Sequence, residues 1–395
     1  MSVASACVGR WIRDTLLPYS LTDKLVVGIA SRALFDLSEA DLVYRTGGLA
    51  AYRDHQRARE SEPLEPGTAY PLVRGLLALN ERSSERLVEV IVISRNDADS
   101  GLRIFNSIEA TGLDIIRGAF TAGRDPWLYL KAFQCTLFLS VGAEDVVNAL
   151  EQGFPAALVL APPGEERGAE PDELRIAFDG DAVLFDEESE RIFQEQGIDA
   201  FHAHEARLAD TPMSPGPFAP FLLALKRVQD RFPEEESPIR TALVTARGAP
   251  AHRRVVRTLR HWGVRIDETF FLGGVEKSEV LKVLRPHIFF DDQLTHLHGA
   301  QVATPSAHVI ARREQLRLFG EDASLSAGSL TSLELAIPNE RETRSAKPEA
   351  PRASQMPRPR PPPTDSRDNA ETASDQEPPA LAETADGSRG TVRSS

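Results

Sequence analysis

Cysteine is nearly absent: the 395-residue chain has two, Cys7 and Cys135. That excludes a disulfide framework and fits a reducing compartment. Cys135 stands in an apolar, strand-like run and reads as a core residue. Long apolar runs are also missing, and none approaches the roughly 18 residues of a membrane span. Arg10, Arg13 and Asp14 interrupt the N-terminus early, so no secretory leader is read there and a cytoplasmic location is expected. Basic charge is the third deficit. With 45 Lys and Arg against 59 Asp and Glu, the net charge is −14. A general nucleic-acid binder needs a basic face to displace counterions, so that class is excluded. A small phosphate ligand is not, because a metal or a few local cations can offset the global field. What remains, 41% hydrophobic and 26% charged residues, is ordinary for a globular protein.

The length allows two domains and a tail, at roughly 100–200 residues per domain. Short apolar runs alternate with amphipathic stretches. Strands are expected at 25–30, 87–93, 118–123, 136–141 and 156–161. Between them, helices are expected at 36–52, 70–80, 100–111 (stopped by Gly112), 127–133 and 144–152. This alternation predicts an α/β fold with a parallel sheet covered on both faces. A further short helix at 8–17 carries no evident function. Residues 162–171 (PPGEERGAEP) read as a linker, and then the pattern restarts. Strands are expected at 176–178, 242–245, 270–274, 288–290 and 307–310, with helices at 188–196 (ended by Gly197), 219–230, 252–262 and 277–284. Residues 202–216 read as a polar loop, and loop and helix together (202–230) could serve as a small cap or be an ordinary crossover. Beyond about 338 the chain is rich in Pro, Ser, Arg and Glu, which predicts disorder.

The two halves align. Placing Ser94 on Thr245, an offset of 151, puts Gly112 on Gly263, Phe120 on Phe271, Gly123 on Gly274 and Phe138 on Phe289. At 149, Pro66-Gly67 falls on Pro215-Gly216. An internal duplication is the expectation. The resulting divisions are an N-terminal segment (1–21), a first half (22–162), a linker (163–171), a second half (172–320) and the tail (338–395).

Chemistry concentrates in the second half. The run LRIAFDGDAVLF carries an apolar strand into Asp179 and Asp181, two carboxylates that raise each other's pKa unless a cation holds them ionised. Alone, such a pair is as readily an acidic turn. Three later strand ends add Thr245, Lys277 after a Gly-Gly turn, and Asp291 with Asp292. In an open parallel sheet, ligands bind outside the carboxyl ends of the strands, so these side chains are expected to converge. The set suits phosphoryl transfer: Asp179 as nucleophile and Asp181 as acid and base. Thr245 can donate to a phosphate oxygen, and Asp291 and Asp292 can complete an oxygen shell for Mg²⁺.

The motifs AFDGDAV, ALVTAR, GGVEK and IFFDDQ, in that order, resemble those of the haloacid dehalogenase-like (HAD) phosphatase superfamily. Finer wording (SRALFDL, GTAYPLV, ISRNDADSGLRIF, TARGAPAHRRVVRTLRHWGV) is similar to the cytosolic 5′-nucleotidase type I family over residues 22–310. The resemblance implies Mg²⁺-dependent hydrolysis of nucleoside 5′-monophosphates through an aspartyl-phosphate; with the internal alignment, the expected fold is two tandem HAD-like, Rossmann-type halves. It also implies that Thr245 and Lys277 steady the phosphoryl group, with Lys282 the rival lysine. The implied metal ligands are Asp179, the Asp181 carbonyl, Asp291 and Asp292. Arg247 is a candidate substrate contact, though a surface ion pair is an equal alternative. His252, His296 and His298 read as structural or solvated. The first half has Ile29-Ala30-Ser31 and Ser140-Val141 where the second has its carboxylates. It is therefore expected to be a degenerate copy that shapes the nucleoside pocket, with Ser94, Arg95 and Asn96 as contacts. Another phosphomonoester such as a sugar phosphate, a non-catalytic nucleotide-binding role, and homo-oligomerisation stay open.

Overall fold

The first strands are unbroken apolar runs because both of their faces are covered. In β1 (Leu25–Ile29) and β2 (Val88–Ser94) every residue is buried, the pattern of a parallel sheet sandwiched by helices. The structure, a computed structural model, describes residues 19–160, 173–301 and 304–310. The expected 8–17 helix, the 162–171 linker and the tail from 338 lie outside the described residues. Eight further strands follow: β3 (Arg117–Phe120), β4 (Leu137–Ser140), β5 (Ala156–Val159), β6 (Leu174–Phe178), β7 (Ile239–Thr245), β8 (Glu268–Phe271), β9 (Ile288–Asp291) and β10 (Ser306–His308). All ten form one sheet in the order β3-β2-β1-β4-β5-β10-β9-β6-β7-β8.

Every neighbouring pair is parallel except β5 with β10. From that antiparallel seam outward, each side runs fifth, fourth, first, second, third in its own chain order. One consequence matters for function. The carboxyl ends of β1–β5 and those of β6–β10 lie on opposite edges of the sheet.

The helices used below are α1 (Ser38–Ala58), α2 (Tyr70–Ala78), α3 (Ala98–Thr111), α4 (Ala143–Glu151), α5 (Glu188–Arg207), α6 (Ala219–Gln229), α7 (His252–His261), α8 (Lys277–Leu284) and α9 (Leu294–Ala300). Two expectations are corrected. Residues 127–133 form a 3₁₀ turn at Pro126–Tyr129 rather than a helix. Residues 202–207, expected in a loop, continue α5 beyond a kink at Gly197 (φ 82°, ψ −177°). Glycine alone tolerates that backbone readily, so it bends the helix instead of ending it. Past the kink, Phe201, His204 and Glu205 give the second limb a buried face at helical spacing.

Several of these details recur at offsets of 149–151. Helix α1 kinks at Gly48 (φ 74°, ψ −172°). Phe35 bridges Pro66 as Phe185 bridges Pro215. The Leu64 amide donates to Ser107 Oγ at 3.0 Å and the Met213 amide to Thr258 Oγ1 at 3.0 Å.

Under the second set of strand ends lies an aromatic cluster. Phe178 stacks on Phe290 (centroids 5.6 Å, 20°), and Phe218 and Phe221 pack on the same pair. Each of Phe178 and Phe290 is followed directly by an aspartate, so this packing fixes the strand ends that carry Asp179 and Asp291.

Candidate active site

The Asp179 amide donates to the Phe290 carbonyl at 2.8 Å, which registers β6 against β9 at the point where both reach polar residues. The chain then makes a wide turn over Gly180–Leu184, closed by the Phe185 amide donating to the Gly180 carbonyl at 2.9 Å. Ala182 adopts φ +57° there, a left-handed conformation costing a non-glycine residue about 1–2 kcal/mol. The turn rests on β7 at Gly180, where an added Cβ would stand 3.3 Å from Thr245 Oγ1. The buried Thr245 hydroxyl accepts from the Arg247 amide at 3.2 Å.

Lys277, the first residue of α8, is 2% exposed, with Nζ 2.9 Å from Asp179 Oδ1 and 2.7 Å from Asp291 Oδ2. Lys282 lies elsewhere, half-exposed and paired with Glu279 at 2.6 Å. Asp291 also accepts from the Gln293 amide at 2.7 Å, and His296 Nδ1 lies 3.2 Å from its Oδ2. Asp292 is bound through its backbone carbonyl, which accepts from His308 Nε2 at 2.8 Å.

Two carboxylates thus share one lysine, with a third beside them. Burial pushes Asp179 up to about 7, opposed by Lys277 and assisted by the Asp291 charge. Burial, then the charges of Asp179 and Asp291, push Asp292 up to about 9. Burial also acts to raise Asp291, but Lys277 and His296 outweigh it and hold that carboxyl below the ordinary range. Burial opposes the Lys277 charge, yet Asp179 and Asp291 raise its pKa nonetheless.

Two buried oxygens have no hydrogen-bond partner, Asp292 Oδ1 and Asp179 Oδ1 (the latter has only the Lys277 ion pair). Buried polar atoms rarely stay unsatisfied, and a hard divalent cation is what unpaired carboxylate oxygens accept best. Asp179, Asp291 and His296 each offer a donor atom within 4.8 Å of the others, so the residues present fit a metal ion. His296, read from sequence as structural or solvated, stands beside Asp291. Its signal was its place five residues after Asp291, where β9 turns into α9.

Removing Lys277 tests this balance. The Lys277→Met protein should lose ~3–5 kcal/mol of stability, as for a buried ion pair stripped of one partner. Urea melts without metal should show a larger loss at pH 9 than at pH 6, since more carboxylates are then ionised.

Arg247, expected at a substrate or on the surface, is 4% exposed. Its Nε and Nη2 donate to both oxygens of Asp181 at 2.7 and 2.6 Å, and its Nη1 donates to Glu205 at 2.5 Å. Ser94, Arg95 and Asn96 end β2, and β2 points to the opposite sheet edge from β6. The structure therefore does not bring them to Asp179. Arg95 is instead bound to Asp145 (2.7 Å) and Asp125 (3.0 Å), Ser94 to Ser31 (2.9 Å) and Asn96 to Tyr52 (3.1 Å). The antiparallel seam, which sequence periodicity does not reveal, is the reason.

That same reversal brings a different first-half element to the edge at which β6 ends. A pocket of about 300 Å³ lies between Val147, Leu150 and Glu151 of α4 and Ala182, Asp186 and Glu187 at the turn.

Residues 17–315 match the family model described as 5′-nucleotidase. Over 289 residues the chain is 38% identical to human cytosolic 5′-nucleotidase 1B, covering 70% of this chain and 47% of that protein. The chain thus spans about half the length of that curated relative. Among solved structures, histidinol dehydrogenase from Elizabethkingia anophelis gives 9% identity over 72% of this chain and 52% of its own, with a TM-score of 0.18. That likeness carries no fold assignment.

Proposed function

Because the chain belongs to the 5′-nucleotidase family, we propose that it hydrolyses nucleoside 5′-monophosphates to nucleoside and phosphate through an aspartyl-phosphate on Asp179. The observation carrying this reading is the arrangement of Asp179 and Asp291 at adjacent strand ends. Lys277 bridges them, and Asp179, Asp291 and His296 each offer a donor atom within 4.8 Å of the others. When bound, Mg²⁺ would neutralise phosphoryl charge, held by Asp179, Asp291 and the Asp181 carbonyl, with Asp292 and His296 beside them.

The steps belong to the chain's own residues. An Asp179 carboxylate oxygen attacks phosphorus as the bond to the 5′-oxygen breaks. Asp181 gives that leaving oxygen a proton. Thr245 and Lys277 donate to the phosphoryl oxygens and offset their charge. Asp181 then takes a proton from the water that attacks the aspartyl-phosphate, releasing phosphate and restoring Asp179.

The recurring kinks, bridges and hydrogen bonds support a tandem duplication with halves at 22–162 and 172–320, of which only the second keeps its carboxylates. On this reading the first half acts through α4, and the pocket beside Ala182 receives the nucleoside. Leu150→Trp, which fills that pocket, should raise KM for nucleotides roughly tenfold with little change in kcat, as for a lost uniform binding interaction. The chain is taken as cytoplasmic, in keeping with its similarity to a cytosolic 5′-nucleotidase. Phosphate release from a panel of nucleotides and sugar phosphates with Mg²⁺ tests the function. Nucleoside 5′-monophosphates should be the preferred substrates; activity confined to sugar phosphates would overturn the assignment.

A further inference from the structure

One buried charged cluster has no part in the steps above. Glu205, 1% exposed on the second limb of α5, accepts from Arg247 Nη1 at 2.5 Å, Arg254 Nη1 at 2.9 Å and Ser189 Oγ at 2.7 Å. Arg247 in turn grips both oxygens of Asp181, with its guanidinium 5.4 Å from the Phe201 ring centroid. Desolvating so many charges offsets most of what their attraction returns, so stability alone is a weak reason for the cluster.

The first half supplies an internal control. At the corresponding offsets Ser31 stands for Asp181, Asn96 for Arg247, Gln56 for Glu205 and Tyr52 for Phe201. Arg103 stands for Arg254 and donates to Gln56 Oε1 at 2.9 Å, the distance at which Arg254 meets Glu205. The backbone anchor also recurs: Arg103 Nε donates to the Glu62 carbonyl at 3.1 Å, and Arg254 Nε to the Thr211 carbonyl at 3.0 Å. The Tyr52 hydroxyl links Asn96 (3.1 Å) to Gln56 (3.3 Å). The same scaffold therefore forms around Arg103 with neutral side chains at the other four positions. Its acid and the arginine at 247 appear together with the Asp181 carboxylate and are absent together where a serine stands.

We propose that Glu205 and Arg247 are positioning residues that orient the Asp181 carboxyl group: its protonated form gives the proton to the leaving oxygen, and Arg247 pairs with the carboxylate that is left. Glu205 holds one end of the guanidinium, and the opposite Nε–Nη2 edge sets the plane of the carboxylate, which a lysine could not do. This rests on the reading of Asp181 as proton donor, and the test separates the two.

The double variant E205Q/R247N copies the neutral set of the first half, and R247K keeps the charge without the fork. For each, kcat/KM would be measured with a nucleoside 5′-monophosphate and with p-nitrophenyl phosphate. The alkoxide leaving group needs a proton, whereas nitrophenolate departs without one. The ratio of nucleotide to aryl kcat/KM should fall roughly 10–100-fold in both variants, a share of what a general acid contributes. Thermal melts would confirm that both are folded, and E205Q alone, which leaves the Asp181–Arg247 pair intact, should give a smaller fall. An unchanged ratio, whether both activities drop together or neither drops, overturns the relay. Asp181→Asn, measured with the same two substrates, separates the readings: an unchanged ratio there would instead overturn Asp181 as the proton donor.

Discussion

Asp179→Asn is expected to cut nucleotide hydrolysis by on the order of 10⁴-fold or more, as removal of a nucleophile does in enzymes acting through a covalent intermediate. The same substitution should stabilise the metal-free protein at high pH. The Asp291 charge raises the proton affinity of Asp179, the Asp179 and Asp291 charges raise that of Asp292, and a neutral amide at 179 relieves this repulsion. A fall in turnover with a rise in melting temperature at pH 9 identifies a residue kept for chemistry at the expense of stability. Steady-state phosphate release and thermal melts on one preparation measure both.

The second large effect concerns pH and metal. A carboxyl whose pKa is raised by folding binds its proton more tightly in the folded than in the unfolded chain. Its contribution to stability is then full at low pH and is lost as pH rises toward the folded value. With Asp179 near 7 and Asp292 near 9, against about 4 for an exposed carboxyl, the metal-free protein should lose stability from pH 4 up to pH 9. A bound divalent cation replaces those protons, so its affinity should rise over the same interval. Melting temperatures with and without Mg²⁺ should differ little at pH 5.5 and by several degrees at pH 8.5, about 2–4 °C per kcal/mol for a domain of this size. A metal-induced shift equal at both pH values would show that these carboxyls do not bind the ion.

Much of the site was legible because an apolar run ending in a carboxylate is costly unless the carboxylate has work to do. Phe178-Asp179 and Phe290-Asp291 both follow that pattern, and the Gly-Gly turn before Lys277 marked the lysine. Sequence could not show the antiparallel pairing of β5 with β10. It is set by the packing of short, apolar strands, and it decides that Ser94, Arg95 and Asn96 face away from Asp179 while α4 lies beside the turn at Ala182. Glu205 was hidden for a different reason. Gly197 reads as the end of a helix, so the polar residues after it looked like a loop and not the inward face of a second limb. His296 was hidden because a histidine on a short helix has many ordinary uses.

The most direct test asks whether phosphorus is transferred to the chain at all. The protein would be mixed with a nucleoside 5′-monophosphate and Mg²⁺, quenched in acid within one turnover, digested and analysed by mass spectrometry. The account predicts a phosphoryl group on the peptide containing Asp179, absent from the Asp179→Asn protein. Rapid nucleoside release with no phosphorylated peptide at any quench time would contradict it.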